Sequence, residues 1–205
     1  MSYTSIYATA SDGLAPLQNS LIDLEAAAAI QRAFNPDLVI GLLQTPDYAR
    51  AILSGCVGLF ETPDDTDATV TARLARQRVL DTEGKSFRFL IGEQALLRTV
   101  GSAAIMAEQI RALHTTLTAR ANVEIGIIPV ESVYVSPAAN FLISDDREVE
   151  TETVTGFVTA SDKRDIDLAA RTFDRLSEIA LYADDALAVL HRALTSHTDR
   201  IGNNG

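Results

Sequence analysis

Apolar residues recur at helical spacing in the first third of the chain, alternate in two short central runs, and return to helical spacing at the end. Leu17, Leu21, Leu24 and Ala28 recur at spacings of four, three and four, which predicts a helix running to about Phe34 and ended by Asn35-Pro36. Residues 1–16 are small and polar and read as a mobile arm. A second helix is predicted from Pro46 to near Gly55, with Tyr48, Ile52 and Leu53 facing inward; Thr45 supplies its cap and Asp47 a negative charge in its first turn. The acidic stretch Glu61 to Asp67 reads as a loop feeding a third helix from about Thr66 to Thr82, with Val70, Leu74 and Val79 on its inner side.

The period then changes. Phe87, Phe89 and Ile91 predict a strand over 86–92, giving way at Gly92-Glu93 to a helical turn through Arg98. Met106, Ile110, Leu113 and Leu117 define a helix started by Gly101-Ser102, followed by a strand from Val123 to Ile128. This strand–helix–strand unit predicts parallel pairing. Phe141 to Ile143 and a β-branched run from Val149 to Thr159 form an expected antiparallel hairpin turned at Asp145-Asp146. Two helices follow, one capped by Ser161 or Asp162 and carrying Ile166, Ala169, Phe173, Leu176 and Ala180, the other capped by Asp184 and carrying Leu187, Leu190 and Leu194. A tail over 198–205 is expected to fray. The fold class is therefore mixed α/β: one domain over 17–197, in parts 17–83, 86–160 and 162–197, with about four strands in a mixed sheet between N-terminal and C-terminal helices.

With 205 residues, 47% of them hydrophobic, the chain can bury one substantial core, and its net charge of −11 opposes binding to a phosphate backbone. Arg73, Arg76 and Arg78 are the only basic cluster. A single cysteine, Cys56, allows no internal disulfide and fits a reducing compartment. No stretch reaches the roughly 18 apolar residues that cross a bilayer. The expectation is a cytoplasmic protein without membrane or direct nucleic-acid contact.

His114, His191 and His197 read as exposed and lack metal-ligand spacing, so no metal is expected. Phosphate-binding loops, dinucleotide fingerprints and nucleophile elbows are missing from the sequence, and no cofactor is expected. Glu148, Glu150 and Glu152 alternate on one strand face. They could offer carboxylates to a cation or an amine, or Glu148 and Glu150 could protect an exposed edge strand by charge, Glu152 standing apart.

The string Gly41-Leu-Leu-Gln-Thr-Pro-Asp-Tyr-Ala-Arg50 resembles one in the C-terminal domain of unknown function of Xre-type helix-turn-helix regulators, common in actinobacteria. Further strings resemble that family in the same order: Arg76-Gln77, Phe87 to Glu93 with Leu96 and Arg98, Val100-Gly-Ser102 with Met106 and Gln109, Val123 to Pro129, Phe141-Leu142, and Glu152 to Gly156. The sequence departs from it at Ile40, where the family usually has proline, and at Glu150 and Thr151, where it is more apolar. No DNA-reading module precedes these strings here, so the resemblance implies sensing of a small molecule or binding of a small protein partner.

Of the matched polar residues, Arg76, Gln77, Glu93 and Glu152 are the candidate ligand-binding set. The alternative is an internal Arg–Glu network joining helices to sheet, with Glu93 paired to Arg76. In a rival reading the chain is an enzyme of acid–base or cyclisation chemistry in a specialised biosynthetic pathway, with Glu93 or Glu152 as the general acid or base.

Overall fold

A computed structural model of the chain describes residues 1–136 and 139–202, without the side chains of Ser20, Asp23 and Leu24. Leu24, assigned to the inward face of the first helix, and the last three residues of the expected tail thus lie outside the described residues. The fold is mixed α/β, built on one sheet of seven strands rather than four, in the order β1-β7-β6-β5-β2-β3-β4. Strands β2 (Ile30–Asn35), β3 (Ser86–Gly92) and β4 (Val123–Ile128) are parallel. Strands β5 (Phe141–Ser144), β6 (Glu148–Thr153), β7 (Gly156–Ala160) and β1 (Ser2–Ser5) continue the sheet antiparallel from β2.

The three additional strands each have a physical reason. Residues 1–16 are no free arm: Ser2–Ser5 pairs with β7, and α1 (Ile6–Ala10) buries Ile6 and Ala10. The helix expected to reach Phe34 ends at Ala27 (α2, Ala15–Ala27), and Ile30–Asn35 becomes β2, with Ala33 and Phe34 buried on opposite faces. A run of alanines, good helix formers, hides this switch from a period count. The run from Val149 to Thr159 is two strands folded back at Val154-Thr155. There Gly156 is required, because a Cβ would lie 2.1 Å from the backbone oxygen of Thr4.

Both β3 and β4 occupy the predicted ranges and are parallel. The β5–β6 hairpin turns at Asp145 and Asp146, both in the left-handed region (φ 52° and 53°), and the Asp145 carboxylate accepts the N–H groups of Ala29 (2.9 Å) and Ile30 (2.7 Å) to fix the start of β2.

Two helical layers sandwich the sheet. On one face α7 (Lys163–Glu178), capped by Asp162, sets Phe173 and Leu176 against Phe34, Leu90, Ile143 and Val149. On the other, α6 (Ala103–Ala119), capped by Ser102, and α8 (Ala183–Gly202) cover Phe87, Phe89, Ile125 and Ile127. Because α8 starts at Ala183, Asp184 lies inside its first turn rather than capping it. It also continues to Gly202 through the residues expected to fray, and His197 is fully buried rather than exposed, its Nε2 2.8 Å from the carbonyl oxygen of Leu96.

The same face is completed over the antiparallel half by α1, α2, α3 (Pro46–Phe60) and α4 (Thr66–Arg76). Helix α3 runs past Gly55 to Phe60, and the expected third helix tightens into a 3-10 turn over Gln77–Asp81. Helix α5 (Glu93–Leu97) follows β3 directly. No helix among the described residues is long and apolar enough to cross a membrane.

Candidate functional site

Where the helices α2, α3 and α4 lie over the sheet they leave a cavity of about 290 Å³. Its floor follows from strand register. Gln31, Ala33 and Asn35 of β2, Leu142 of β5, and Glu150 and Glu152 of β6 share one sheet face, because Ala33 faces Leu142, Leu142 faces Glu150, and side chains two apart point the same way. Much of the remaining wall is apolar, including Ile52, Leu53, Phe89 and Phe157.

Its roof carries two arginines three residues apart on α4, hence on one helix face. Arg76 lies against α2: its Nε donates to Glu25 Oε2 at 2.9 Å and its Nη2 to Oε1 at 2.5 Å, with Nη1 on Gln18 Oε1. This is a two-armed ion pair with both side chains nearly enclosed, 10% and 6% exposed. Arg73 is different. Its Nε donates to Gln18 Oε1 at 3.1 Å and its Nη1 to Gln44 Oε1 at 2.7 Å, so both partners are neutral amides. Burial, and then the neighbouring Arg76 cation, push Arg73 down to about 10, which leaves it charged at neutral pH.

The string at residues 41–50 explains how this roof is held. Gly41–Leu43 forms a 3-10 turn, and Gln44 then donates to the Val39 carbonyl (2.8 Å) while its oxygen takes the Arg73 guanidinium. The Thr45 hydroxyl accepts the Tyr48 N–H at 3.4 Å, Pro46 occupies the first turn, and fully buried Tyr48 accepts the Val39 N–H through its hydroxyl. Gln109 on α6 bridges the Leu43 carbonyl and the Thr45 N–H, at 2.8 and 2.7 Å. Asp65 holds α2 in place by accepting the N–H groups of Leu14 (3.0 Å) and Ala15 (2.7 Å). Gly13, at φ 105°, allows that approach, since a Cβ there would lie 2.3 Å from the Asp65 carboxylate.

On the floor, the acidic alternation on β6 is not edge protection. This strand lies between β5 and β7, and its carboxylates face the helical layer. Burial, then Glu148 and Glu152, raise the Glu150 carboxyl above its ordinary value, partly offset by Arg76. Glu152 is exposed at the rim and accepts from Asn140 Nδ2 at 3.4 Å. Gln31 is 2% exposed, and its Oε1 has no hydrogen-bond partner. Cys56 also lines the cavity, but burial and Glu152 push its thiol up, the opposite of an activated nucleophile.

Of the four residues assigned from sequence, Arg76 and Glu152 line this cavity and two do not. Gln77 turns away and donates to the Gln44 carbonyl at 2.6 Å, beside a groove bounded by Pro46, Leu74 and Ala112. Glu93 heads α5 at the far side of β3, accepting the Val130 N–H at 3.1 Å and lying 3.6 Å from Arg192. The expected Glu93–Arg76 pair does not exist, because the sheet carries Glu93 toward α8 while α4 turns Arg76 to α2. An acid–base role in this cavity therefore cannot fall to Glu93.

The residues missed were Gln18, Glu25, Gln31, Gln44, Arg73 and Glu150. Arg73 and Glu150 had shown only as a basic cluster and an acidic alternation, and the partners of Arg73 lie 55 and 29 positions away. The basic cluster is no surface patch: Arg73 and Arg76 point inward, and only Arg78 of the three is exposed. No group of three or more His, Cys, Asp or Glu among the described residues is placed to hold a metal ion.

NucT from Helicobacter pylori matches at 11% identity with a TM-score of 0.48, over 89% of this chain and 98% of that one. TrmBL2, described as an archaeal chromatin protein with a novel mode of DNA binding, matches at 13% identity with a TM-score of 0.38, over 80% of this chain and 49% of that one. Among curated proteins none matches in sequence. A family model, the domain of unknown function DUF5753, matches residues 18–192, and the chain belongs to that family.

Proposed function

We propose that the chain is a regulatory domain of the cytoplasm that binds a small molecule, with the cavity between α2–α4 and the sheet as its effector site. The observation that carries this reading is a cation without a counter-anion and an acceptor without a donor among the residues that line the cavity. Arg73 is charged and largely buried yet has no carboxylate within 4.0 Å among the described residues, and Gln31 Oε1 is buried without a partner. Leaving the Gln31 acceptor unmet costs a folded core roughly 1–3 kcal/mol, and a ligand that supplies its donor and a counter-charge for Arg73 converts these deficits into affinity. Occupancy would reach the rest of the molecule through α2 and α4, which form the roof and carry the Arg76–Glu25 pair.

Methyl-resolved NMR of the full chain with a mixed set of acidic, basic, zwitterionic and neutral fragments tests the reading. Binders should perturb Ile52, Leu53 and Leu142 together. Failure of every fragment to perturb these methyls, or hits that map elsewhere, would contradict it.

A further inference from the structure

The two walls of this cavity carry charges of opposite sign that do not touch. Arg73 on α4 is pinned by Gln18 and Gln44, and neither Glu150 nor Glu152 on β6 makes an ion pair with any described residue. Arg76 is already neutralised by Glu25. An arginine with a free choice of rotamer would reach across to a carboxylate; here the two glutamines hold it on its own wall. The β6 wall has the complementary need. Its carboxylates repel one another with no cation in contact, which is part of why Glu150 is raised. Gln31 lines the cavity from the same sheet face, and its enclosed acceptor oxygen has no partner.

A ligand bearing only an anion would satisfy Arg73 and leave the acidic wall bare. One bearing only a cation would leave Arg73 unmet. A phosphate would bring its charge against the β6 carboxylates. Resting on the reading of the cavity as an effector site, the geometry points to a zwitterion with an apolar side chain, of the class of an apolar α-amino acid. Its carboxylate lies on the Arg73 guanidinium and its ammonium on the Glu150–Glu152 wall, with a further N–H for Gln31. The side chain occupies the apolar part formed by Ile52, Leu53, Phe89 and Phe157. A volume of about 290 Å³ is at the small end for ligand sites, which suits a molecule of this size.

Calorimetric titration of the full chain with L-leucine, L-phenylalanine and L-methionine, each beside its deaminated acid and its decarboxylated amine, tests the inference. At least one amino acid should bind tenfold or more tightly than both of its single-charge relatives. Arg73→Met should reduce that amino acid to the affinity of its amine, and the double variant Glu150→Gln with Glu152→Gln should reduce it to that of its acid. Equal binding of either relative overturns the inference, as does failure of all three amino acids to bind. In those cases fragments that still perturb the cavity methyls would leave the effector site standing, whereas silence from both experiments would remove the site itself.

Discussion

Arg76 reaches back to Glu25, 51 positions earlier, and clasps its carboxylate with two guanidinium nitrogens where little water penetrates. Each partner alone would be an enclosed charge without compensation. Arg76→Met and Glu25→Gln should therefore each destabilise by about 3–5 kcal/mol, and the double variant should lose much less than the sum. Urea midpoints of the four proteins check this; additive losses would show that the two side chains act independently.

The start of α3 is held from two sides, by the Thr45 hydroxyl on the Tyr48 N–H and by Gln109 on the Thr45 N–H. Thr45→Ala removes only the first and should cost about 1 kcal/mol, the usual loss for a cap. Gln109→Leu strands both the Leu43 carbonyl and the Thr45 N–H and should cost more, about 2–6 kcal/mol at about 1–3 for each unmet group. Urea unfolding with unchanged slopes checks the order; equal losses would mean that Gln109 does not staple α6 to this turn.

The β3 and β4 boundaries were legible because each strand packs alternate apolar residues on a large core and is bounded by glycine, proline or a capped helix. Strand β2 was not, since Ala26 to Ala29 continue a helical pattern and Gln31, a polar residue, occupies a buried position for which local sequence gives no reason. Strand β1 exists only through its pairing with β7, more than 150 positions away. The cavity was half legible. Arg76 and Glu152 stood out through family-like strings, but the cavity is defined by strand register and by an α2–α4 contact that no local spacing encodes.

His197 makes stability depend on pH. Burial, reinforced by Arg200, lowers its pKa, and its Nδ1 has no partner to receive a second proton's donor. The unfolded chain takes up that proton near the ordinary histidine value of about 6.5 while the fold resists it, so stability should fall as pH drops through that value and level off below the folded-state pKa. Urea midpoints at pH 7 and 5.5 should converge for His197→Gln relative to the wild type. Identical pH dependence in the two would contradict the assignment.

Glu150 has the opposite consequence. Its carboxyl is raised in the fold, so ionising it opposes folding, and its contribution to stability is lost as pH rises from the ordinary 4.5 through the raised value. Without ligand, Glu150→Gln should be at least as stable as the wild type at pH 7, with the difference smaller at pH 4.5. Thermal midpoints at the two pH values check this; a variant less stable at pH 7 than at pH 4.5, relative to the wild type, would contradict it.

Arg73 is the residue on which the proposed site turns, because it is a largely buried cation with no carboxylate within 4.0 Å among the described residues. The most direct measurement is the affinity of the carboxylate-bearing binders from the fragment set for the wild type, for Arg73→Met and for Arg78→Met, whose arginine is exposed at the end of the same helical segment. Arg73→Met should weaken binding tenfold or more without lowering the urea midpoint, and Arg78→Met should change neither. Equal affinities in the two variants would contradict the claim that this cavity is a binding site built around Arg73.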